Sequence, residues 1–164
     1  MPVPVHETLR VFYAENQDQL YTYAVAITRQ REAAEDAIQL AFARLLRRTD
    51  LPAQLRPYVF RCVRNAALDT WRRDRTRTDS LFSPLDDQLA PPTAPEAPAV
   101  STAELDQWLA TLSPDERETI VLKIYDDFSF QEIADLRGVP LPTASSWYRR
   151  GLAKLKALWI KETT

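Results

Sequence analysis

Two glycines in 164 residues, Gly138 and Gly151, set the tightest limit on how this chain can fold. Two-residue hairpin turns and phosphate-cradling loops rely on glycine for positive φ or close backbone approach. A chain with so little of it is directed to helices, and an all-α fold is expected. The 45% apolar and 27% charged content suffices for one domain or two small ones. A single cysteine, Cys62, and a single histidine, His6, leave no intrachain disulfide and no cysteine- or histidine-rich metal site. Neither a metal nor another cofactor is expected. No motif brings paired catalytic groups together, so the chain does not read as an enzyme. Residues 1–6 carry neither the basic nor the apolar part of a signal peptide, and no uncharged apolar run approaches the length of a membrane span. The expected location is the cytoplasm, with no membrane partner.

Five of the twelve prolines fall between Pro84 and Pro98, in a stretch without helical periodicity. This reads as a flexible linker, and it divides the chain into residues 1–78, a linker over 79–104, and residues 105–164. The net charge of −2 conceals an uneven distribution. Residues 1–78 hold 13 basic and 9 acidic groups, 79–104 hold 5 acids and no base, and 105–164 hold 8 and 9. The acids are concentrated in the linker.

Helices are expected at about 6–16, 17–29, 32–48 and 55–74. In the third, Ala34, Ile38, Ala41, Phe42 and Leu45 form a core stripe, with Asp36, Gln39 and Arg47 opposite and Leu40 among them. The fourth buries Val59, Cys62, Val63 and Ala66, which gathers Arg61, Asn65 and Arg72 on its far face at steps of four and seven. Cys62 is read as a buried small hydrophobe. In the last segment, Ser113 with Pro114 and Glu116 spells a capping box, and Ser129 with Glu132 repeats it. The second box opens a short helix with Phe130, Ile133, Ala134 and Leu136, closed by Gly138. A final helix begins near Leu141, with Ala144, Tyr148, Leu152, Leu155 and Trp159 facing inward and Ser146, Arg149, Arg150 and Lys156 outward.

Residues 129–157 thus have a helix-turn-helix layout, for which an ordinary αα-corner is the plain alternative. Charge favours the DNA-binding form. From Leu136 to Lys161 there are six basic residues and no acid, against two bases and eight acids from Leu105 to Asp135. Such a basic end suits phosphates. The 56–77 stretch holds seven arginines and two acids with Tyr58, Phe60 and Trp71 interleaved, a composition suited to phosphates and unpaired bases, although many arginine runs are simply solvated faces.

Residues 34–46, AEDAIQLAFARLL, resemble the polymerase-binding helix in the second conserved region of bacterial sigma factors of the extracytoplasmic-function group. Residues 55–73, LRPYVFRCVRNAALDTWRR, resemble that group's promoter-melting and minus-ten recognition helix. Residues 112–155 resemble its fourth region, which docks on the polymerase flap and reads the minus-thirty-five element. The three follow one another in family order, with a linker where that group lacks a third domain. The resemblance implies two helical domains, and a promoter-specificity subunit whose partners are core RNA polymerase, promoter DNA and an anti-sigma factor, monomeric when free.

By the same resemblance, Asp36, Gln39 and Leu40 face the polymerase clamp. Arg61, Arg64, Asn65, Asp69, Arg72 and Arg73 serve the minus-ten element, Asn65 facing its bases. Thr143, Ser145, Ser146, Arg149 and Arg150 enter the major groove at minus thirty-five, and the linker follows the path by which RNA leaves, although a plain flexible tether explains its composition equally well. Departures from the pattern are Ser145 for a lysine, Trp147 for an arginine, Ala144 for a larger aliphatic, and apolar Ala33 and Leu40 for acids on the clamp-facing helix. Gly151 weakens its helix by about 1 kcal/mol relative to alanine. Trp147 lies at the edge of the core stripe, where packing as core or boundary and contact with DNA or a partner both fit. Two other readings fit parts of the sequence, a stand-alone helix-turn-helix regulator and a sigma-like decoy that engages only an anti-sigma factor.

Overall fold

A computed structural model describes residues 3–77 and 102–163, and among them every regular element is helical. The acidic, proline-rich stretch lies outside the described residues. The chain divides into two compact units, Met1–Ser83 and Pro84–Thr164.

The first unit is a three-helix bundle of α1 (Val5–Thr28), α2 (Arg31–Leu45) and α3 (Leu55–Arg77), each packed on the other two. The sequence suggests a break near Asn16, but α1 runs through it. Asn16 turns its side chain back along the helix, Nδ2 donating to the Phe12 carbonyl at 2.9 Å, and so does not cap a new one. The helix ends where Arg29 takes a left-handed φ of 58° and its amide returns to the Val25 carbonyl at 2.8 Å. α2 closes at Leu45, three residues before the expected end, because the Arg47 and Arg48 amides tighten onto the Arg44 and Leu45 carbonyls.

The inward face of α2 is mostly alanine, with Ala33, Ala34, Ala37 and Ala41 all buried beside Ile38 and Leu45. Small side chains let α2 approach closely. The bulk comes from α1 and α3, where fully buried Tyr23 lies 5.6 Å, centroid to centroid, from fully buried Phe60. Val59, Val63 and Ala66 are buried as the periodicity requires, whereas Cys62 is only half-buried and Phe42 sits half-exposed, edge-on to Tyr13. Ala33, grouped from the resemblance with the clamp-facing positions, is in the core at 5% exposure.

The second unit contains α4 (Thr102–Ala110), α5 (Pro114–Ile120), α6 (Phe130–Arg137) and α7 (Leu141–Thr163). α4 begins inside the span read as linker, because the apolar spacing of Leu105, Trp108 and Leu109 starts a helix as soon as the prolines end. Both capping boxes form as spelled. The Ser113 hydroxyl accepts the Glu116 amide at 3.2 Å while Glu116 accepts the Ser113 amide at 2.9 Å, and Ser129 and Glu132 do the same at 3.1 and 3.0 Å. α5 widens into a π-helical turn over Val121–Tyr125, whose end is marked by the Asp126 amide reaching the Val121 carbonyl at 3.1 Å. Gly138 closes α6 with φ 66°, a conformation costly for residues with a Cβ.

α7 packs on α5 and α6 through Ala144 and Gly151, both buried, with Tyr148, Leu152 and Leu155 half-buried beside them. Trp159, expected in that stripe, is 52% exposed and leans edge-on against Trp108 of α4, ring centroids 5.9 Å apart. The reason is length: 23 residues of α7 outrun α5 and α6, which have seven and eight. Gly151 marks the closest approach, since a Cβ there would lie 2.5 Å from Ile120 Cδ1. A Cβ there would require the Ile120 side chain to shift, which offsets part of the low helix propensity of Gly151.

Two predictions follow from this packing. Gly151→Val should destabilise the second unit by about 1–3 kcal/mol. Combined with Ile120→Ala in a denaturant series, it should cost clearly less than the two single changes added, and strict additivity would mean that the close approach is not felt. The second concerns Glu116, whose side chain is 5% exposed and takes a 2.6 Å bond from Lys154 Nζ of α7. Burial raises its pKa, but the bonds from Lys154 and Ser113 outweigh that and hold it below the ordinary glutamate value. A depressed folded-state pKa gives stability that is fully present above the unfolded value, about 4.3, and is lost as pH falls through the lower folded one. Glu116→Gln should flatten that acid limb in thermal melts, and an unchanged limb would exclude Glu116 as its source.

Candidate nucleic-acid interface

On α3, Arg61, Asn65, Arg72 and Arg73 are exposed and Arg64 and Asp69 half-buried. The four-and-seven spacing thus brings Arg61, Asn65 and Arg72 to one solvent-facing strip, flanked by further cations. Asp69 points back to α2, with Oδ2 3.9 Å from Arg44 Nη1, and so trims the positive charge on that border.

Beside Asn65 lies a cleft of about 270 Å³ between α2 and α3, lined by Ala41, Arg44, Leu45, Arg48, Tyr58, Cys62 and Asn65. Its floor is apolar and its rim cationic and aromatic. Arg48 both donates to the Tyr58 hydroxyl at 2.5 Å and lies over the Tyr58 ring at 5.1 Å. Burial pushes the Cys62 thiol above its ordinary pKa, against the opposing pull of the Tyr58 hydroxyl and of Arg48, Arg61 and Arg44. The thiol therefore stays protonated at neutral pH. Arg44 and Arg48 were not singled out in the sequence, since they reach the site only because α2 ends against α3.

Asp36 and Gln39 are exposed on the outer face of α2, with Leu40 half-buried next to them. They form a short polar strip with an apolar border.

In the second unit, α6, the Gly138 turn and α7 make the helix-turn-helix, fastened by Phe130 edge-on to Tyr148 with ring centroids 5.2 Å apart. At the start of α7, Thr143, Ser145 and Ser146 are half-buried and Arg149 and Arg150 exposed. This is a small, hydroxyl-rich surface followed by two cations. The basic end is less cationic toward solvent than its sequence suggests. Lys154 bonds Glu116, and Arg137, 6% exposed, is held by Asp115 at 2.5 Å and Glu118 at 3.3 Å. The Arg137 guanidinium also lies 4.8 Å from the centroid of half-buried Trp147. Trp147 is thus a packing residue that backs the tie between α5, α6 and α7, at the edge of the core where the sequence placed it.

Comparison with known proteins bears on both units. The family model for Sigma-70 region 2 matches residues 12–77, and that for Sigma-70, region 4 matches residues 102–155. The chain is 30% identical over 151 residues to the RNA polymerase sigma factor CarQ of Myxococcus xanthus, covering 89% of this chain and 86% of that protein. It is 28% identical over 156 residues to the ECF RNA polymerase sigma factor SigE of Mycolicibacterium smegmatis, covering 92% of this chain and 61% of that one. A solved structure, the sigma factor RpoE in complex with the anti-sigma factor NepR from Bartonella quintana, shares the fold with a TM-score of 0.78 at 21% identity, covering 93% of this chain and 97% of that one. The chain belongs to the extracytoplasmic-function group of sigma-70 factors, and is a transcription-initiation subunit, not an enzyme, that binds core RNA polymerase and directs it to promoters.

Proposed function

We propose a division of labour in which residues 1–78 hold the polymerase and open the minus-ten element, residues 105–164 set register on the minus-thirty-five element, and residues 79–104 tether the two along the RNA exit path. The observation that carries the minus-ten half is the exposed Arg61–Asn65–Arg72 strip beside the α2–α3 cleft. Arginines supply phosphate contacts, the amide of Asn65 can hydrogen-bond a base edge, and the cleft has room for one unstacked base. Arg64, Asp69 and Arg73 border this surface. Capture of an unstacked base stabilises the opened strand and so shifts the melting equilibrium.

At minus thirty-five, Thr143, Ser145 and Ser146 offer hydroxyls to base edges while Arg149 and Arg150 take guanine or phosphate. Asp36, Gln39 and Leu40 of α2 meet the polymerase clamp. The chain works in the cytoplasm as a monomer until it joins the enzyme, and an anti-sigma factor holds it inactive before then. That last point is supported by the likeness to RpoE, which was solved with such a factor bound.

Run-off transcription with core polymerase and genomic promoter fragments tests the assignment. Specific start sites are expected with the native chain. Asn65→Ala should still locate the promoter but expose its minus-ten thymines poorly to permanganate, and normal opening would remove Asn65 from the role. Arg149→Ala should weaken promoter binding by about 1–3 kcal/mol with little effect on polymerase affinity. Cys62, the only thiol, gives a footprint of the cleft: its maleimide labelling, followed on the sigma band, should slow in the open complex. Equal labelling with and without promoter would mean that the cleft stays empty.

A further inference from the structure

One row of α7 is anchored twice to α5. At about 100° per residue, Thr143, Trp147, Arg150 and Lys154 stand within about 60° of one another around the helix. Lys154 is tied directly, its Nζ 2.6 Å from Glu116 Oε1. Trp147 is tied through Arg137 at the end of α6, whose guanidinium lies 4.8 Å from the ring centroid. Arg137 is itself clamped to α5: Nη2 donates to Asp115 Oδ1 at 2.5 Å, and Nη1 lies 3.3 Å from Oε2 of buried Glu118. Its Nε and Nη1 are buried and make no hydrogen bond among the described residues. The two carboxylates therefore leave part of the cation unanswered, and the π-face of Trp147 is a further electrostatic partner for it. Thr143 and Arg150 alternate with the two anchored positions, Arg150 exposed and Thr143 half-buried like Trp147 itself. An indole released from Arg137 would turn toward the solvent side of this row, against Thr143 four residues before it or Arg150 three after.

The geometry points to Arg137 as a positioning residue for promoter reading: it holds the Trp147 indole on the core side of α7 and so keeps Thr143 and Arg150 clear for the major groove. Arg137 touches no DNA itself and acts through Trp147. This inference rests on the minus-thirty-five reading of α7, and adds to it a residue that governs selectivity from inside the domain.

The test uses holoenzyme reconstituted from the full chain and core polymerase. Selectivity is read as the ratio of affinities for a native promoter fragment and for one whose minus-thirty-five element is scrambled. Arg137→Gln is combined with Glu118→Gln so that no buried charge is left alone. This pair of changes should lower the ratio about tenfold, the loss of one good base contact. Trp147→Leu, which fills space without a π-face, should lower it to a similar degree, and Trp147→Phe should stay near the native ratio. With the two glutamines in place, leucine and phenylalanine at position 147 should no longer differ. Thermal melts of the same variants separate positioning from packing. A tie that serves packing alone lowers the melting temperature and leaves the ratio at its native value, and that result overturns the proposal. So does a difference between phenylalanine and leucine that persists without Arg137, which would make Trp147 a direct DNA contact. Arg149→Ala, measured alongside, keeps the two readings apart: a loss of selectivity there with native ratios for the Arg137 and Trp147 variants removes the positioning role and keeps the minus-thirty-five reading. Coupled losses at Arg137 and Trp147 with a native ratio for Arg149→Ala keep the positioning role and remove Arg149.

Discussion

Close approach between helices, made possible by small residues on their inward faces, is the constraint on which both units depend. Neither unit is large enough to rely on a deep core. In the first, the alanines of α2 let it lie close against helices that supply Tyr23 and Phe60. In the second, Ala144 and Gly151 bring α7 onto α5, with Ile120 filling the space a Cβ would need. The outward positions of the same helices carry Asp36 and Gln39 on α2 and Arg149 and Arg150 on α7.

Electrostatics then divides the cations into two groups. Arg137 and Lys154 are taken up by Asp115, Glu118 and Glu116, Arg137 within the helix-turn-helix and Lys154 at its surface. Of these pairs only Arg137 with Glu118 is buried on both sides, and breaking it is costly because the partner charge is left without compensation. Arg149, Arg150 and Lys156 remain exposed along α7. Ser145 and Trp147 add no charge to this part of α7, so in the proposed minus-thirty-five role it has little charge with which to hold DNA unaided. A chain of net charge −2 gains little from long-range attraction to phosphate, so the polymerase must supply the affinity that its sigma subunit directs.

Much of this was legible in the sequence where the signal is local. Ser113 with Glu116 and Ser129 with Glu132 form their boxes as spelled, Gly138 takes the left-handed turn, and the strip of Arg61, Asn65 and Arg72 follows from spacing alone. What could not be read depends on the third dimension. Asn16 is as good a cap as a back-bonded helix residue, and only the continuation of packing decides between them. Trp159 obeys the periodicity of α7, yet it lies beyond α5 and α6 and leans edge-on against Trp108, 52% exposed. The cleft combines the end of α2 with the middle of α3, so Arg44 and Arg48 carried no signal of their own. Gly151 looked like a defect in a helix and is a point of contact.

The central claim is that promoter affinity belongs to the assembled enzyme and not to the free subunit. It is tested most directly by titrating one promoter fragment with the free chain and with its complex with core polymerase, between about 50 and 200 mM salt. The free chain should bind no tighter than micromolar, with a shallow salt slope set by two or three phosphate contacts, while the complex binds the promoter specifically and far more tightly. Nanomolar, sequence-specific binding by the free chain at physiological salt would contradict the account.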